Sequence, residues 1–171
     1  MKHVFFLFTL VFGIFFFGKA QDTTRLTRTP YKLKVAIEKN AAYEEDIKAT
    51  PYVFDSNNVQ LYPGETVFVE TEVDNGIIKS MKAVKENANP AKTIIISFSQ
   101  TAKKGVHQMM MLKVTNPFTQ TLVYNAKFMP LKGSKFLETD VLPVQAGISG
   151  FETWQEIITA IVLNGWRFEA K

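Results

Sequence analysis

The sequence predicts an all-β protein, an antiparallel β-sandwich in a single domain. Three observations carry that prediction: short runs alternate apolar and polar residues, turn residues separate them, and no strand–helix–strand rhythm intervenes.

The chain opens with basic Lys2, an apolar run from Val4 to Phe17, and then Gly18, Lys19 and Ala20. Small residues at 18 and 20 make Ala20/Gln21 the expected cleavage point of a secretory signal peptide over residues 1–20, and the apolar run is short for a membrane span. Removing Lys2 and Lys19 with the leader lowers the formal charge from +4 to +2, and lysines alternate with acids, as in "VKENANPAK". That is no basis for nucleic-acid binding, which needs clustered cations facing phosphates. Residues 21–171 are the size of one ordinary domain and contain no cysteine, so the expected fold is held by packing without disulfides. A periplasmic or secreted bacterial location is expected, with no membrane span after signal cleavage and no cofactor or metal.

Residues 21–30, "QDTTRLTRTP", are polar and threonine-rich and read as a flexible N-terminal lead; the sandwich domain is expected over 31–171. In "KLKVAIE" the residues Leu33, Val35 and Ile37 share one face, the mark of a half-buried strand. "NAAYEEDIKA" suggests a short helical turn, and extended character returns in "TPYVF" and "VQLYPGE" around the turn "DSNN". Two β-rich runs then meet at Asn75-Gly76, residues that tolerate the positive φ of a type I′ turn, which predicts a hairpin of strands near 66–73 and 77–84. On its first strand Val67, Val69 and Val73 are expected to point inward. Three further strands place Ile94, Ile96 and Phe98, then Met110, Leu112 and Val114, then Leu122, Tyr124, Ala126 and Phe128 on inner faces.

Catalytic patterns are sparse. His107 is the one histidine after the leader, too few for a typical histidine metal site, and "DSNN" lacks the ligand spacing of a calcium loop. Glu44, Glu45 and Asp46 sit together and Glu152 and Glu156 lie four apart, but solvation is the ordinary state of such acids. Gly147-Ile148-Ser149-Gly150 approaches a nucleophile elbow yet lacks its closing glycine, and His107 precedes Ser149, opposite to the order of elbow enzymes. No catalytic residue is assigned, and the glycines read as a bend between two late strands.

For residues 154–163 the sequence supports two conformations. "SGFE" matches a helix capping box and the apolar residues recur at helical spacing as far as Asn164-Gly165. "IITAIVL", however, is rich in β-branched residues, and the other strands call for one more, which favours a strand.

Asn116-Pro117-Phe118, the stretch from Pro143 to Gly147, the group Phe151 to Trp154 and the closing Trp166-Arg167-Phe168 together resemble the C-terminal half of a family of uncharacterised exported bacterial proteins. The resemblance covers about the last sixty residues. It implies an immunoglobulin-like sandwich and brings no assigned activity. The functional expectation is a non-enzymatic envelope protein acting through strand-edge pairing or a loop surface on another envelope protein or surface component. Phe118, Phe151 and Trp154 are its candidate partner-surface residues. The alternatives are a chaperone-like strand-exchange module and a small hydrolase built on Ser149 or the carboxylates with His107.

Overall fold

The computed structural model describes residues 25–55 and 57–170. The expected leader, 1–20, and residues 21–24 of the expected lead lie outside the described residues. Twelve strands are present among them: β1 (Tyr31–Glu38), β2 (Ala41–Ile47), β3 (Val53–Phe54), β4 (Asn58–Leu61), β5 (Glu65–Asp74), β6 (Ile77–Val84), β7 (Thr93–Lys103), β8 (Val106–Thr115), β9 (Leu122–Pro130), β10 (Leu137–Thr139), β11 (Ser149–Trp154) and β12 (Ile158–Phe168). A 3-10 turn at Pro90–Lys92 is the only helical element described, and no described helix is long and apolar enough to cross a membrane.

The predicted β-sandwich is the fold. One five-stranded antiparallel sheet runs β10-β9-β12-β4-β3 and the other β11-β8-β7-β5-β6, while β1 and β2 form a separate hairpin. Inner faces of the two large sheets meet in one core: Val59, Leu61, Leu122, Ile161 and Leu163 from the first, Val67, Val69, Ile94, Ile96, Phe98 and Leu112 from the second. Strand alternation puts every second residue there, which is why the expected inner sets of β7, β8 and β9 are all buried. The order leaves β10 and β11 as edges on one flank and β3 and β6 as edges on the other.

The Asn75-Gly76 hairpin forms as expected, with φ of 49° and 73° at its two central residues. Val73 departs from expectation. The β5–β6 register shifts between Glu72 and Val73, turning Val73 outward, while Thr71 takes the buried position. Residues 154–163 form no capped helix: β11 stops at Trp154 and β12 starts at Ile158. Asn164-Gly165, which read as a helix stop, lies in a bulge with Gly165 at φ 63°, and the strand continues to Phe168.

The helical turn expected within 40–49 is instead β2, paired with β1. Alternation decides it: Glu44 and Asp46 face Lys34 and Lys32 across the ladder at 3.2 Å each, while Ile47 is buried with Leu33 and Val35. This hairpin joins the sandwich through apolar packing on Tyr62 and Ile157 and through one side-chain amide. Ala36 donates its N–H to Gln100 Oε1, and Gln100 Nε2 donates to Ala36 O, both at 2.8 Å. The same Nε2 lies 2.8 Å from His107 Nδ1, which therefore accepts, leaving His107 Nε2–H to donate to Gln155 O at 3.0 Å.

Residues 26–30 overturn the expectation of a flexible lead. Thr27 bridges to Pro51, Leu26 packs on the core, and Arg28 is only 2% exposed. Arg28 Nε donates to Glu65 Oε1 at 2.8 Å, its Nη2 to Gln60 O at 2.9 Å, and its Nη1 to the Thr50 hydroxyl. The guanidinium also lies over the rings of Tyr52 and Tyr62, 4.5 and 5.0 Å from their centroids. Glu65 Oε2 accepts the Tyr62 N–H at 2.9 Å. A threonine-rich composition hid this because the arginine's buried carboxylate partner lies 37 residues away.

All five tyrosines resist ionisation. Burial raises Tyr31, Tyr52, Tyr62 and Tyr124, with Glu65 adding to Tyr31 and Tyr52 and Glu152 to Tyr124. Tyr43 is pushed up to about 12, first by its hydrogen bond to Glu45 and then by burial. Raised folded values mean a contribution to stability that is complete below the unfolded phenol value of ~10 and is lost as pH climbs through the folded values. Urea midpoints are therefore expected to hold steady to about pH 9 and to fall above ~10 as phenolate absorbance appears. Ionisation of most phenols near pH 10 without loss of structure would contradict this.

Arg28→Met strands the Glu65 carboxylate in the interior and is expected to cost ~3–5 kcal/mol in urea unfolding. Arg28→Met combined with Glu65→Leu should recover part of that loss. A single variant within ~1 kcal/mol of the parent would show that the pair is not a structural tie.

Candidate functional site

Phe118, Phe151 and Trp154 do not form one aromatic surface. Phe118, in the β8–β9 turn, is half-buried and meets Phe168 edge-on at 5.0 Å between centroids. Trp154 is also half-buried, its ring 6.4 Å from that of Phe128. Only Phe151 stands out, 56% exposed, with Lys113 Nζ 5.7 Å from its ring centroid. Strand alternation explains the split, since Phe151 and Trp154 point to opposite faces of β11.

Trp154 and Phe118 both hold the segment joining β10 to β11, and Phe151 follows it on β11. Trp154 Nε1 donates to Thr139 Oγ1 at 3.1 Å, tying down its start. Phe118 O accepts the Gly147 N–H at 3.0 Å near its end. Between them Glu152 Oε1 accepts the Leu142 N–H at 2.7 Å, and Val144 exchanges two backbone hydrogen bonds with Leu122. Gly150 makes room for Val144, because a Cβ there would lie 2.8 Å from Val144 Cγ2.

Asn116 is the principal tie, although Asn-Pro-Phe by itself reads only as a turn. It is 1% exposed; its Nδ2 lies 2.8 Å from Gln120 O, 2.9 Å from Val144 O and 3.1 Å from Gln145 O. Its Oδ1 accepts the Phe118 N–H, and its own N–H goes to Ile148 O, both at 2.9 Å. One side chain thus replaces a ladder that the irregular segment cannot make. The signal was present in Asn-Pro-Phe, where an asparagine before proline favours a turn; its reach to residues 144–148 was not.

This fixed segment carries exposed apolar surface. Of the nine large apolar side chains that stand exposed among the described residues, five fall within 136–151: Phe136, Leu137, Leu142, Ile148 and Phe151. Leu142, at 73%, is the most exposed of them. Beside them β10 leaves β9 after the Thr139–Ala126 pair, and backbone contact resumes only at Val144–Leu122. A depression of about 700 Å³ lies there, lined by Asn125, Lys127, Glu138, Asp140 and Asn164 among others, with Lys127 and Glu138 paired at 3.1 Å. Polar walls beside apolar projections suit binding.

The hydrolase residues are not assembled. Ser149 sits opposite Thr115 and shares a 2.8 Å hydrogen bond with its hydroxyl, whereas His107 lies eight residues away along β8. At ~3.4 Å per residue that is roughly 27 Å, far beyond the reach of a base to its nucleophile. Glu44, Asp46 and Glu45 are engaged by Lys34, Lys32 and Tyr43, and Glu152 by Leu142. No group of three or more histidines and acids able to hold a metal occurs among the described residues. At "DSNN", Asp55 and Asn57 both take positive φ, as a turn requires.

No family model, curated protein or solved structure matches the chain.

Asn116→Ala is expected to loosen residues 144–147, whose carbonyls at Val144 and Gln145 lose the side-chain amide, without unravelling the sandwich. It should cost ~2–3 kcal/mol, from buried partners left unsatisfied, and should speed hydrogen exchange at Val144 and Gly147 more than at Ile96. Uniform acceleration across all three amides would show that Asn116 supports the fold as a whole rather than this segment.

Proposed function

We propose that the protein is a non-catalytic, exported, immunoglobulin-like β-sandwich of the bacterial envelope. It acts by contact with another envelope protein or surface component through residues 136–151. The observation that carries this reading is the concentration of exposed apolar side chains on a segment held by buried hydrogen bonds. A fixed irregular segment loses little conformational freedom on binding, and apolar anchors beside a polar depression match the usual anatomy of an interface. Phe151 retains its expected role as a contact residue, while Trp154 and Phe118 position the segment from behind. The export expected from residues 1–20 supports the location.

The test replaces Ile148 with a photo-crosslinking residue in intact cells, with and without Leu142→Asp and Phe151→Asp. A discrete crosslinked envelope species is expected for the parent, weakened at least about tenfold by the two charges, as for lost interface anchors. The urea midpoint should move by less than ~0.5 kcal/mol equivalent, because both sites are exposed. A crosslink indifferent to the charges, or none at all, would reject this surface.

A further inference from the structure

We infer that the outer edge of β6 is a docking strand for an extended acidic segment of another protein, one that alternates carboxylates with apolar residues. This surface lies on the opposite flank from residues 136–151 and stands independently of them.

β6 ends its sheet, and no described strand pairs with its outer side. From Ser80 to Val84 it keeps unbroken register with Glu72 to Phe68, so its outer side presents a regular row of backbone donors and acceptors. Lys79 and Lys82 of β6, and Lys85 just past its end, stand exposed. Among the described residues none of the three has a carboxylate within 4.0 Å. The facing acids have other partners: Glu72 accepts the Ser80 hydroxyl at 2.8 Å and Glu70 the Asn89 amide at 3.0 Å.

That charge pattern selects an occupant. A second copy of β6, paired edge to edge, would bring lysine rows together, and like charges on neighbouring strands repel. An acidic strand gains from the same lysines, so one feature supplies both the attraction and the rejection that specificity needs. The ground beside the edge adds the second half of the pattern. Between β6 and Arg25–Thr27 runs a groove of about 490 Å³, lined by apolar Leu26, Ala83 and Val84 and by cationic Arg25, Lys82 and Lys85. Side chains of an added strand alternate between its two faces. Those beside Leu26 and Ala83 suit apolar residues, and those beside Lys82 suit carboxylates.

Two synthetic ten-residue peptides test this with the purified protein, one alternating Glu and Val, the other Lys and Val. The Glu/Val peptide is expected to bind in a salt-dependent manner and to protect amides of residues 80–84 from hydrogen exchange. The Lys/Val peptide is expected not to bind. Lys82→Glu with Lys85→Glu should weaken the Glu/Val peptide at least about tenfold and admit the Lys/Val peptide, since like charges across an interface are strongly unfavourable. Leu142→Asp with Phe151→Asp should change neither result. Absence of Glu/Val binding, or binding indifferent to the lysine reversals, would overturn the β6 assignment. So would protection that maps to residues 136–151, an outcome that leaves the first surface standing.

Discussion

The two large sheets meet at Arg28. Its guanidinium touches the turn before β3, the β4 backbone, and the first residue of β5, the point at which the chain crosses from one large sheet to the other. The rings of Tyr52 and Tyr62 lie over the same charge. A buried cation of this kind tolerates few arrangements, because each unmet donor is expensive and an unmet charge more so. Fixing Arg28 therefore fixes the crossing and residues 26–30 together. In a protein with no cysteine, this polar tie does work that a disulfide does elsewhere.

The regular part of the fold was legible because strand alternation is written locally. Ile94, Ile96 and Phe98, or Leu122, Tyr124 and Ala126, declare their inner face without reference to any other segment. Asn75-Gly76 likewise specifies its own turn. The misreadings arose where a partner far along the chain decides the outcome. Arg28 is ordered by Glu65, 37 residues away, and the acids of β2 by the lysines of β1. Val73 followed the pattern until a register shift, invisible in either strand alone, turned it outward.

The functional surfaces were legible in a different proportion. Aromatic content pointed to Phe118, Phe151 and Trp154, and all three touch or belong to the region of the β10–β11 segment, yet two serve it from within. Leu142 and Ile148 went unmarked because a single apolar residue in a loop carries no periodicity. Asn116 reads as an ordinary turn residue, since its three carbonyl partners include two from beyond residue 143. Local chemistry names the residue types of a site; long-range geometry assigns their roles.

Gln100 shows how the β1–β2 hairpin belongs to the whole. Its side-chain amide pairs with the backbone of Ala36 as a neighbouring strand would, but at one residue only, so no continuous ladder binds the hairpin to the sandwich. Ladders lend cooperativity, and an isolated amide lends little. The rest of its attachment is apolar, with Leu33, Val35 and Ile47 packed on Tyr62 and Ile157. With side-chain contacts in place of a ladder, the seating of the β1–β2 pair depends on the fit of a few residues and not on the register of either large sheet.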